Sequence, residues 1–331
     1  MKVIIIGRTE ILYSSALMLK EEHQICGIIT AKASPEYEKT QDDFELLAKE
    51  LGCPFLQTQY LGRAASEFII NCKPDVGVSV NWVSVINSKI IDLLPFGILN
   101  CHPGDLPYYR GNAVCNWAML AGETEIVVTI HEMVAGELDS GAIYCQDRFK
   151  ISEDSDITDF VKFWESVTPN LFLEAINKIS TLNYRPLDQA TIEREPFRCF
   201  PRLPVDSKID WAETARNIDL LIKASAAPYS GAYTYLKIGD IIHKVSIWNS
   251  RVVQKDTVDM GTPGHIIFND KQSGESHVYT GAGVLAIGDV SFDNEDSFRP
   301  GLVWKSIRMR FGIDIEQEII LLNKRLNGEV H

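Results

Sequence analysis

The sequence predicts an α/β domain built on a parallel sheet, followed by a smaller β-rich domain. In the first half, short apolar strands alternate with segments of helical spacing, which is typical of a parallel sheet with crossover helices on both faces. In the second half, closely spaced strands separated by Gly and Asp turns indicate a small barrel or sandwich. A Pro-containing linker ends near residue 203, so we expect domains at residues 1–203 and 204–331.

The first domain is expected to be Rossmann-like. Apolar strands are predicted at residues 3–6, 25–30, 55–57, 75–80 and 97–100, and helices between them at residues 10–22, 42–51, 61–72 and 88–94. Two further strands follow at residues 125–131 and 142–146, and then a long helix over 155–178 that Pro169 could kink or split. Ligands of such sheets bind at the carboxyl ends of the strands.

The second domain begins with a predicted helix over residues 214–226. Short strands are then predicted at residues 232–238, 241–248, 264–268, 276–280 and 284–290, and a polar helix at residues 314–326. Turns rich in Gly and Asp separate these strands.

The charge balance argues against a nucleic-acid partner. The 331 residues include 32 Lys and Arg against 45 Asp and Glu, for a formal charge of −13. From Pro204 onward there are 14 basic and 17 acidic residues, a net of −3. Proteins that bind nucleic acid usually present a basic face, so neither domain is expected to be a platform for RNA or DNA.

Cysteine usage and hydropathy indicate a cytoplasmic protein. The 7 cysteines form no CxxC pair, which is typical of reduced thiols in a cytosol-like compartment. The first apolar run ends at Gly7, too short for a signal peptide, and no window has the roughly 20 apolar residues of a membrane span. We therefore expect no membrane partner.

Several common cofactor motifs are missing from the sequence. The first strand–helix turn reads Gly7-Arg8-Thr9-Glu10 and lacks the G-x-G-x-x-G loop of dinucleotide-binding folds. There is no P-loop, no G-x-S-x-G elbow and no His/Cys cluster, so neither NAD(P), ATP nor a metal is expected.

Asn100, His102 and Asp139 stand at strand ends or in the loops beside them. A His can take a proton at neutral pH, a carboxylate can stabilise its imidazolium, and an Asn amide can donate to an oxyanion. Together they suit transfer of an acyl group to an amine. Cys101 should point to the opposite face of its strand, which favours direct transfer without a covalent intermediate. An Asn-x-His after a strand is also typical of a simple turn, so spacing alone leaves both interpretations open.

Residues 100–111, NCHPGDLPYYRG, resemble the Asn-x-His…Leu-Pro-x-Tyr-Arg-Gly motif of 10-formyltetrahydrofolate-dependent formyltransferases. The likeness continues at Pro74-Asp75-Val76, Gly122-Glu123-Thr124, Val128-Thr129-Ile130-His131, Asp139-Ser140-Gly141, Arg202-Leu203-Pro204 and Trp248-x-Ser250-Arg251-Val252. The chain is most similar to nucleotide-sugar N-formyltransferases, including the formyltransferase half of the lipid A aminoarabinose enzyme, and more distantly to methionyl-tRNA formyltransferase. The resemblance implies a catalytic first domain and an OB-like barrel as the second.

The resemblance also implies roles for individual residues. His102 would be the general base or proton relay, Asn100 would stabilise the oxyanion, and Asp139 would set the charge and orientation of His102. The donor, 10-formyltetrahydrofolate, would lie along Ser84, Val85, Ile86, Val134, Gly136, Leu138 and Asp139. Residues 134–138 form a loop one residue longer than in the aminoarabinose enzyme, and Pro103-Gly104-Asp105 replaces a more common Gly-Ser-Leu, with a role that the sequence does not explain.

The nucleotide-sugar acceptor is expected at the carboxyl edge of the sheet. Its candidate ligands are Arg8, Asn81, Trp82, Tyr109 and Arg110. Each has a structural alternative: Arg8 could be solvated or salt-bridged, Trp82 could cover the sheet edge, Tyr109 could anchor its loop and Arg110 could brace it. His131, on a strand, is expected to be structural.

These features predict an enzyme that N-formylates a dTDP- or UDP-linked amino-deoxy sugar for bacterial surface polysaccharide synthesis, such as O-antigen or lipopolysaccharide. A homodimer is plausible for the family. The alternatives are methionyl-tRNA formylation, a folate hydrolase, and a non-catalytic module that binds folate or a nucleotide sugar. The sequence does not specify the sugar or the position of its amine.

Overall fold

The computed structural model describes residues 1–35, 37–181, 183–254, 260–293, 295–313 and 315–327, without the side chains of Phe197 and Gln317. The chain divides into two compact units. The first comprises residues 1–155 and 159–201. The second comprises residues 156–158 together with the chain from residue 202 onward.

The first unit contains a mixed sheet whose parallel part follows the predicted pattern. Its strands are β1 (Lys2–Gly7), β2 (Gln24–Thr30), β3 (Phe55–Gln57), β4 (Val76–Val80), β5 (Ile98–His102), β7 (Glu125–Glu132) and β8 (Ile143–Lys150), in the order β3-β2-β1-β4-β5-β7-β8. A separate pair joins β6 (Tyr109–Gly111) to β9 (Phe197–Cys199). Strands β1 to β5 are parallel, which confirms the prediction, whereas β7 is antiparallel to both β5 and β8. A loop, not a crossover helix, joins β7 to β8, so β8 runs back along its neighbour.

Helices cover this sheet. They are α1 (Glu10–Leu19), α2 (Gln41–Leu51), α3 (Arg63–Cys72), α4 (Ser88–Ile91), α5 (Val114–Leu120) and α6 (Ile157–Ile179). Helix α6 is a single element of 23 residues that contains Pro169, so the proline does not split it. Strands β1 and β4 are buried along almost their whole length, because helices cover both faces of a parallel sheet.

The second unit is a β-rich domain, as predicted, and its strands pair in antiparallel fashion. Its strands are β10 (Ala232–Ile238), β11 (Ile241–Ile247), β12 (Ser250–Val253), β13 (Ile266–Asn269), β14 (Ser276–Tyr279), β15 (Val284–Ile287) and β16 (Val290–Phe292), and its helices are α7 (Ala215–Ala224), α8 (Pro300–Val303) and α9 (Ile315–Leu326). The strands pair as β10-β11-β16 and β12-β15-β14-β13. Asp314, the predicted start of the last helix, lies outside the described residues. The stacked rings of Trp211 and Phe311, 5.1 Å apart, lie in the core of this unit.

Among the helices that the structure describes, none combines the length and the apolar character needed to cross a membrane.

Candidate active site

Strand β5 carries Asn100 and His102 to the carboxyl edge of the first sheet. His102 is buried, and its Nε2 lies 2.7 Å from the carbonyl oxygen of Tyr109. A carbonyl can only accept, so Nε2 carries the proton of that hydrogen bond and Nδ1 holds the lone pair of the neutral ring. Cys101, between them, faces helix α6, where its Sγ contacts Trp164 Nε1 at 3.2 Å and Thr168 Oγ1 at 3.4 Å. Burial raises the pKa of the Cys101 thiol to about 11.

Asp139 faces this strand end from the loop between β7 and β8. Its Oδ2 lies 3.5 Å from His102 Nδ1 and accepts a hydrogen bond from the backbone N–H of Gly111 at 2.9 Å. The residue adopts a φ of 51°, a left-handed conformation that Asp tolerates better than most residues. The fold therefore brings His102 and Asp139 together, although 37 positions separate them in the sequence.

His131 on β7 completes the polar group. It lies directly opposite Asn100 in the register of β5 and β7, and its Nε2 is 3.2 Å from Asn100 Nδ2 and 3.6 Å from Asp139 Oδ1. Its Nδ1 lies 2.8 Å from the carbonyl oxygen of Glu132. Burial, together with the nearby His102, lowers the pKa of His131 to about 4, so the ring is neutral at pH 7.

The turn at residues 103–105, unexplained from the sequence, lies against His102 and leaves room for its hydrogen bond to the Tyr109 carbonyl oxygen. A Cβ on Gly104 would lie 2.6 Å from His102 Nε2 and 2.7 Å from the Tyr109 carbonyl oxygen, so only glycine leaves room for their hydrogen bond. The Asp105 carboxylate pairs with Arg194 and, at 3.9 Å, with Arg148. The turn is therefore held from outside the site by ion pairs and kept open beside His102 by the missing side chain.

Gln189, which the sequence analysis missed, holds two parts of the site. Its Nε2 donates to the carbonyl oxygens of Asp139 and Gly141 at 2.8 and 2.7 Å, and its Oε1 accepts from Arg110 Nη2 at 2.6 Å. Arg110 thus contacts the protein through this amide, in agreement with the bracing alternative. No motif surrounds Gln189 in the linker between α6 and the second unit, so only the three-dimensional structure identifies it.

The residues predicted to bind the donor lie on two loops that follow β4 and β7. Val85, Val134 and Leu138 are 82%, 41% and 42% exposed, although all three are apolar. Ile86 is buried in an apolar cluster that Trp82 and Met133, one from each loop, also contact. Ser84 and Gly136 are exposed. The two loops therefore share one apolar base and present apolar side chains to solvent above it.

The residues predicted to bind the acceptor differ in exposure and in how far their polar groups are already hydrogen-bonded within the protein. Arg8 donates to the carbonyl oxygens of Asn81 and Lys32 at 3.1 and 3.2 Å, so it spans the ends of β1, β2 and β4. The exposed Asn81 has a φ of 51°. The hydroxyl of the buried Tyr109 donates to Glu123 at 2.9 Å, so its polar end is already engaged.

Unsatisfied polar atoms gather where the strand order reverses, between β1 and β4. Thr9 Oγ1, Ser79 Oγ and Trp82 Nε1 are buried and have no hydrogen-bond partner in the described structure. Thr9 has a φ of 86°, which is strained for a β-branched residue. Unpaired buried polar atoms and backbone strain are common at ligand sites, and open α/β sheets bind ligands at this reversal point.

Within the described ranges, no group of three or more His, Cys, Asp or Glu side chains is placed to hold a metal ion.

Two family models match the chain. The model described as formyl transferase matches residues 1–176, and the model described as formyl transferase, C-terminal domain, matches residues 204–307. Together they cover most of both units.

Solved structures with the same fold have low sequence identity to the chain. An N-formyltransferase from Helicobacter canadensis, solved with folinic acid and dTDP-3-aminofucose, is 18% identical with a TM-score of 0.62, covering 87% of this chain and 98% of that one. WlaRD, a sugar 3N-formyl transferase solved in the presence of dTDP and 5-N-formyl-THF, is 19% identical with a TM-score of 0.62, covering 89% and 99%.

A variant of HypX from Aquifex aeolicus is 16% identical with a TM-score of 0.56. The match covers 91% of this chain and 46% of HypX, so the chain spans about half the length of that protein.

Proposed function

Because the chain belongs to the formyl transferase family, we propose that it moves a formyl group from 10-formyltetrahydrofolate to the amine of a nucleotide-linked amino-deoxy sugar. The observation that most supports this proposal is the hydrogen bond from His102 Nε2 to the Tyr109 carbonyl oxygen. It leaves the lone pair of Nδ1 on the side of Asp139, and Asn100 lies on the same strand two residues before His102. A base, its charge partner and an oxyanion donor are the groups that acyl transfer to an amine requires.

In the proposed mechanism the amine nitrogen attacks the formyl carbon and a tetrahedral oxyanion forms. Asn100 donates an N–H to that oxygen. His102 Nδ1 takes the proton that the amine loses, and the Asp139 carboxylate stabilises the resulting imidazolium. Collapse of the oxyanion breaks the bond from the formyl carbon to N10, and His102 returns the proton to N10. The products are the N-formylated sugar and tetrahydrofolate.

The fit to the donor rests on the two loops after β4 and β7. A pterin is flat and largely apolar on its faces, with polar edges that backbone groups can bind. Exposed Val85, Val134 and Leu138 above an apolar base suit such a ring, because binding would remove their side chains from water. The buried Ser140 Oγ, which has no hydrogen-bond partner, offers a polar contact in the same loop.

The acceptor is proposed to lie where β1 and β4 end. Arg8 supplies positive charge for a pyrophosphate there, and the unpaired Thr9 Oγ1, Ser79 Oγ and Trp82 Nε1 offer hydrogen-bonding groups. The Helicobacter canadensis relative was solved in complex with dTDP-3-aminofucose and WlaRD in the presence of dTDP. We therefore take dTDP-linked 3-amino sugars as the first candidates, ahead of UDP-linked ones.

Methionyl-tRNA formylation is disfavoured by the charge of the chain. A formal charge of −13, with −3 from residue 204 onward, opposes binding to the phosphates of tRNA, which usually requires a basic face. The function that we propose would serve bacterial surface polysaccharide synthesis in the cytoplasm, with a homodimer as the expected assembly.

The test is incubation of the purified chain with 10-formyltetrahydrofolate and a panel of dTDP- and UDP-linked 3- and 4-amino sugars, read by mass spectrometry. The proposal predicts that one member gains a single formyl group and that the His102→Asn variant, run as a control, forms almost none. Formylation of methionyl-tRNA instead, or release of formate with no acceptor, would refute the sugar acceptor.

A further inference from the structure

We infer that His131 is a positioning residue for formyl transfer: its neutral Nε2 accepts an N–H from Asn100 and so fixes which way the Asn100 amide faces. This inference rests on the proposed function for its catalytic consequence. The hydrogen bond between Asn100 and His131 forms within the protein itself, so it can be tested without a substrate.

The first step is the tautomer of His131. Its Nδ1 lies 2.8 Å from the Glu132 carbonyl oxygen, which can only accept, so Nδ1 carries the proton. Nε2 of the neutral ring is then a pure acceptor. The group that lies 3.2 Å from it must donate, which assigns the nitrogen of the Asn100 amide to that position and its oxygen to the opposite side.

The second step is the consequence for Asn100. A flipped amide would place its oxygen against the lone pair of His131 Nε2, which is repulsive. With the amide held in one orientation, one N–H is used by His131 and the other remains free to donate to a developing oxyanion. A preorganised donor of this kind stabilises a transition state without reorganisation during the reaction.

The third step is the environment that keeps His131 neutral. The ring is 2% exposed, lies edge-on to His102 with 6.0 Å between ring centres, and is influenced by the charge of Arg110. Asp139 Oδ1, at 3.6 Å, and the hydrogen bond to the Glu132 carbonyl oxygen both favour the charged form of His131. Asp139 lies beyond hydrogen-bond distance of Nε2, and the bond to Glu132 is made by Nδ1, which keeps its proton in the neutral ring. Burial opposes the charged form most strongly, and the charge of Arg110, or of His102 when it is protonated, opposes it further. His102 donates through Nε2 to Tyr109 and His131 donates through Nδ1 to Glu132, so the two neutral rings use opposite nitrogens as donors.

The catalytic test is a double-mutant cycle between His131→Leu and Asn100→Ala. Removing one oxyanion donor costs roughly 10²–10³ in kcat, so His131→Leu should lower kcat by a sizeable part of that factor, with little change in KM. In the Asn100→Ala background, the same change should have almost no further effect on kcat. His131→Gln, which can accept through Oε1, should recover much of the loss.

Val127→Ala is the matched control, because this buried residue lies on the same strand and belongs to no part of the site. It should lower stability but leave kcat unchanged in both backgrounds. Equal losses of kcat from His131→Leu in the presence and absence of Asn100 would overturn the positioning role, as would an unchanged kcat.

A second measurement needs no substrate. The ¹⁵N NMR signals of the imidazoles at pH 7 should show His131 protonated at Nδ1 and His102 protonated at Nε2 when neutral, and Asn100→Ala should shift the Nε2 signal of His131. An Nε2-protonated or doubly protonated His131 at pH 7 would overturn the inference. Because this result does not depend on turnover, it distinguishes failure of the inference from failure of the proposed function.

Discussion

Asp139 Oδ2 accepts a hydrogen bond from the backbone N–H of Gly111 at 2.9 Å while the same oxygen faces His102 Nδ1 at 3.5 Å. One carboxylate thus holds the end of β6 and faces the proposed base. Asp139→Asn can keep an acceptor for Gly111 but loses the charge, so kcat should fall by about 10²-fold or more with little change in stability. Asp139→Ala should in addition lower the free energy of unfolding by about 1–3 kcal/mol. Urea unfolding and steady-state kinetics of both variants measure this difference, and equal stability of the two would contradict the structural half of the role.

Gly104 should be intolerant of even one methyl group. Its Cβ would lie 2.6 Å from His102 Nε2, so Gly104→Ala must displace the ring or break its bond to Tyr109. Displacements of about 1 Å in a catalytic group cost about 10²-fold in rate, and we expect at least that loss in kcat. Gly62→Ala is the control, because nothing lies within 4 Å of its added Cβ. Similar kinetics for the two variants would show that the turn has room to adapt.

Removal of the Gln189 amide should affect both stability and rate. Gln189→Leu leaves the carbonyl oxygens of Asp139 and Gly141 and one arm of Arg110 without this partner. Each buried group left unpaired costs about 1–3 kcal/mol, so the loss of three bonds should lower the unfolding free energy by at least about 3 kcal/mol. The value of kcat should also fall, because the Asp139 loop loosens. Gln146→Leu, which loses one bond to Thr129, is the control and should cost less. Chemical denaturation compares the two variants. An equal loss of unfolding free energy in both would argue against Gln189 as the residue that holds the Asp139 loop to Arg110.

Cys101 should be dispensable for the chemistry, although it separates the two catalytic candidates on β5. Its thiol faces helix α6, and the raised pKa of about 11 keeps it protonated. Cys101→Ala should lower the unfolding free energy by about 1–2 kcal/mol and leave kcat close to that of the wild type. A trapped formyl thioester in a mass spectrum of the intact protein, or a loss of kcat similar to that of His102→Asn, would contradict direct transfer.

His131 should make the protein less stable in mild acid. Its pKa falls from 6.5 in the unfolded chain to about 4 in the folded one, so the unfolded state binds the extra proton first as the pH drops. The stability that depends on neutral His131 is fully present above pH 6.5 and is lost as the pH falls to about 4. This loss lowers the free energy of unfolding by about 3 kcal/mol. Urea unfolding between pH 4.5 and 7 should therefore show a shallower pH dependence for His131→Gln than for the wild type. Parallel curves would mean that His131 titrates normally.

Sequence reasoning placed Asn100 and His102 at the carboxyl edge of the sheet because they end a strand that local patterning identifies. Asp139 lies near His102 because the loop after β7 returns to that edge, although β7 is antiparallel to β5. Sequence reasoning did not foresee the partnership of His131 with Asn100, because that depends on the antiparallel pairing of β5 with β7. Gln189 lies 50 positions beyond Asp139 in an irregular linker, and the Tyr109 carbonyl is a backbone group with no signature in the sequence. Local patterns thus identified the elements, while the contacts that orient the site depend on long-range pairing.

The pairing of Asn100 with His131 also determines where the chain can change in length. A slip of one residue between β5 and β7 would bring Ile130 or Glu132 opposite Asn100 and turn the imidazole to the other face of the sheet. Insertions or deletions inside these two strands should therefore abolish the site even if the fold survives. Residues 133–142 join β7 to β8. The tip of this loop near Gly136 is exposed, so the number of residues there is not constrained in this way. The tip can therefore change in length while Asn100 stays opposite His131.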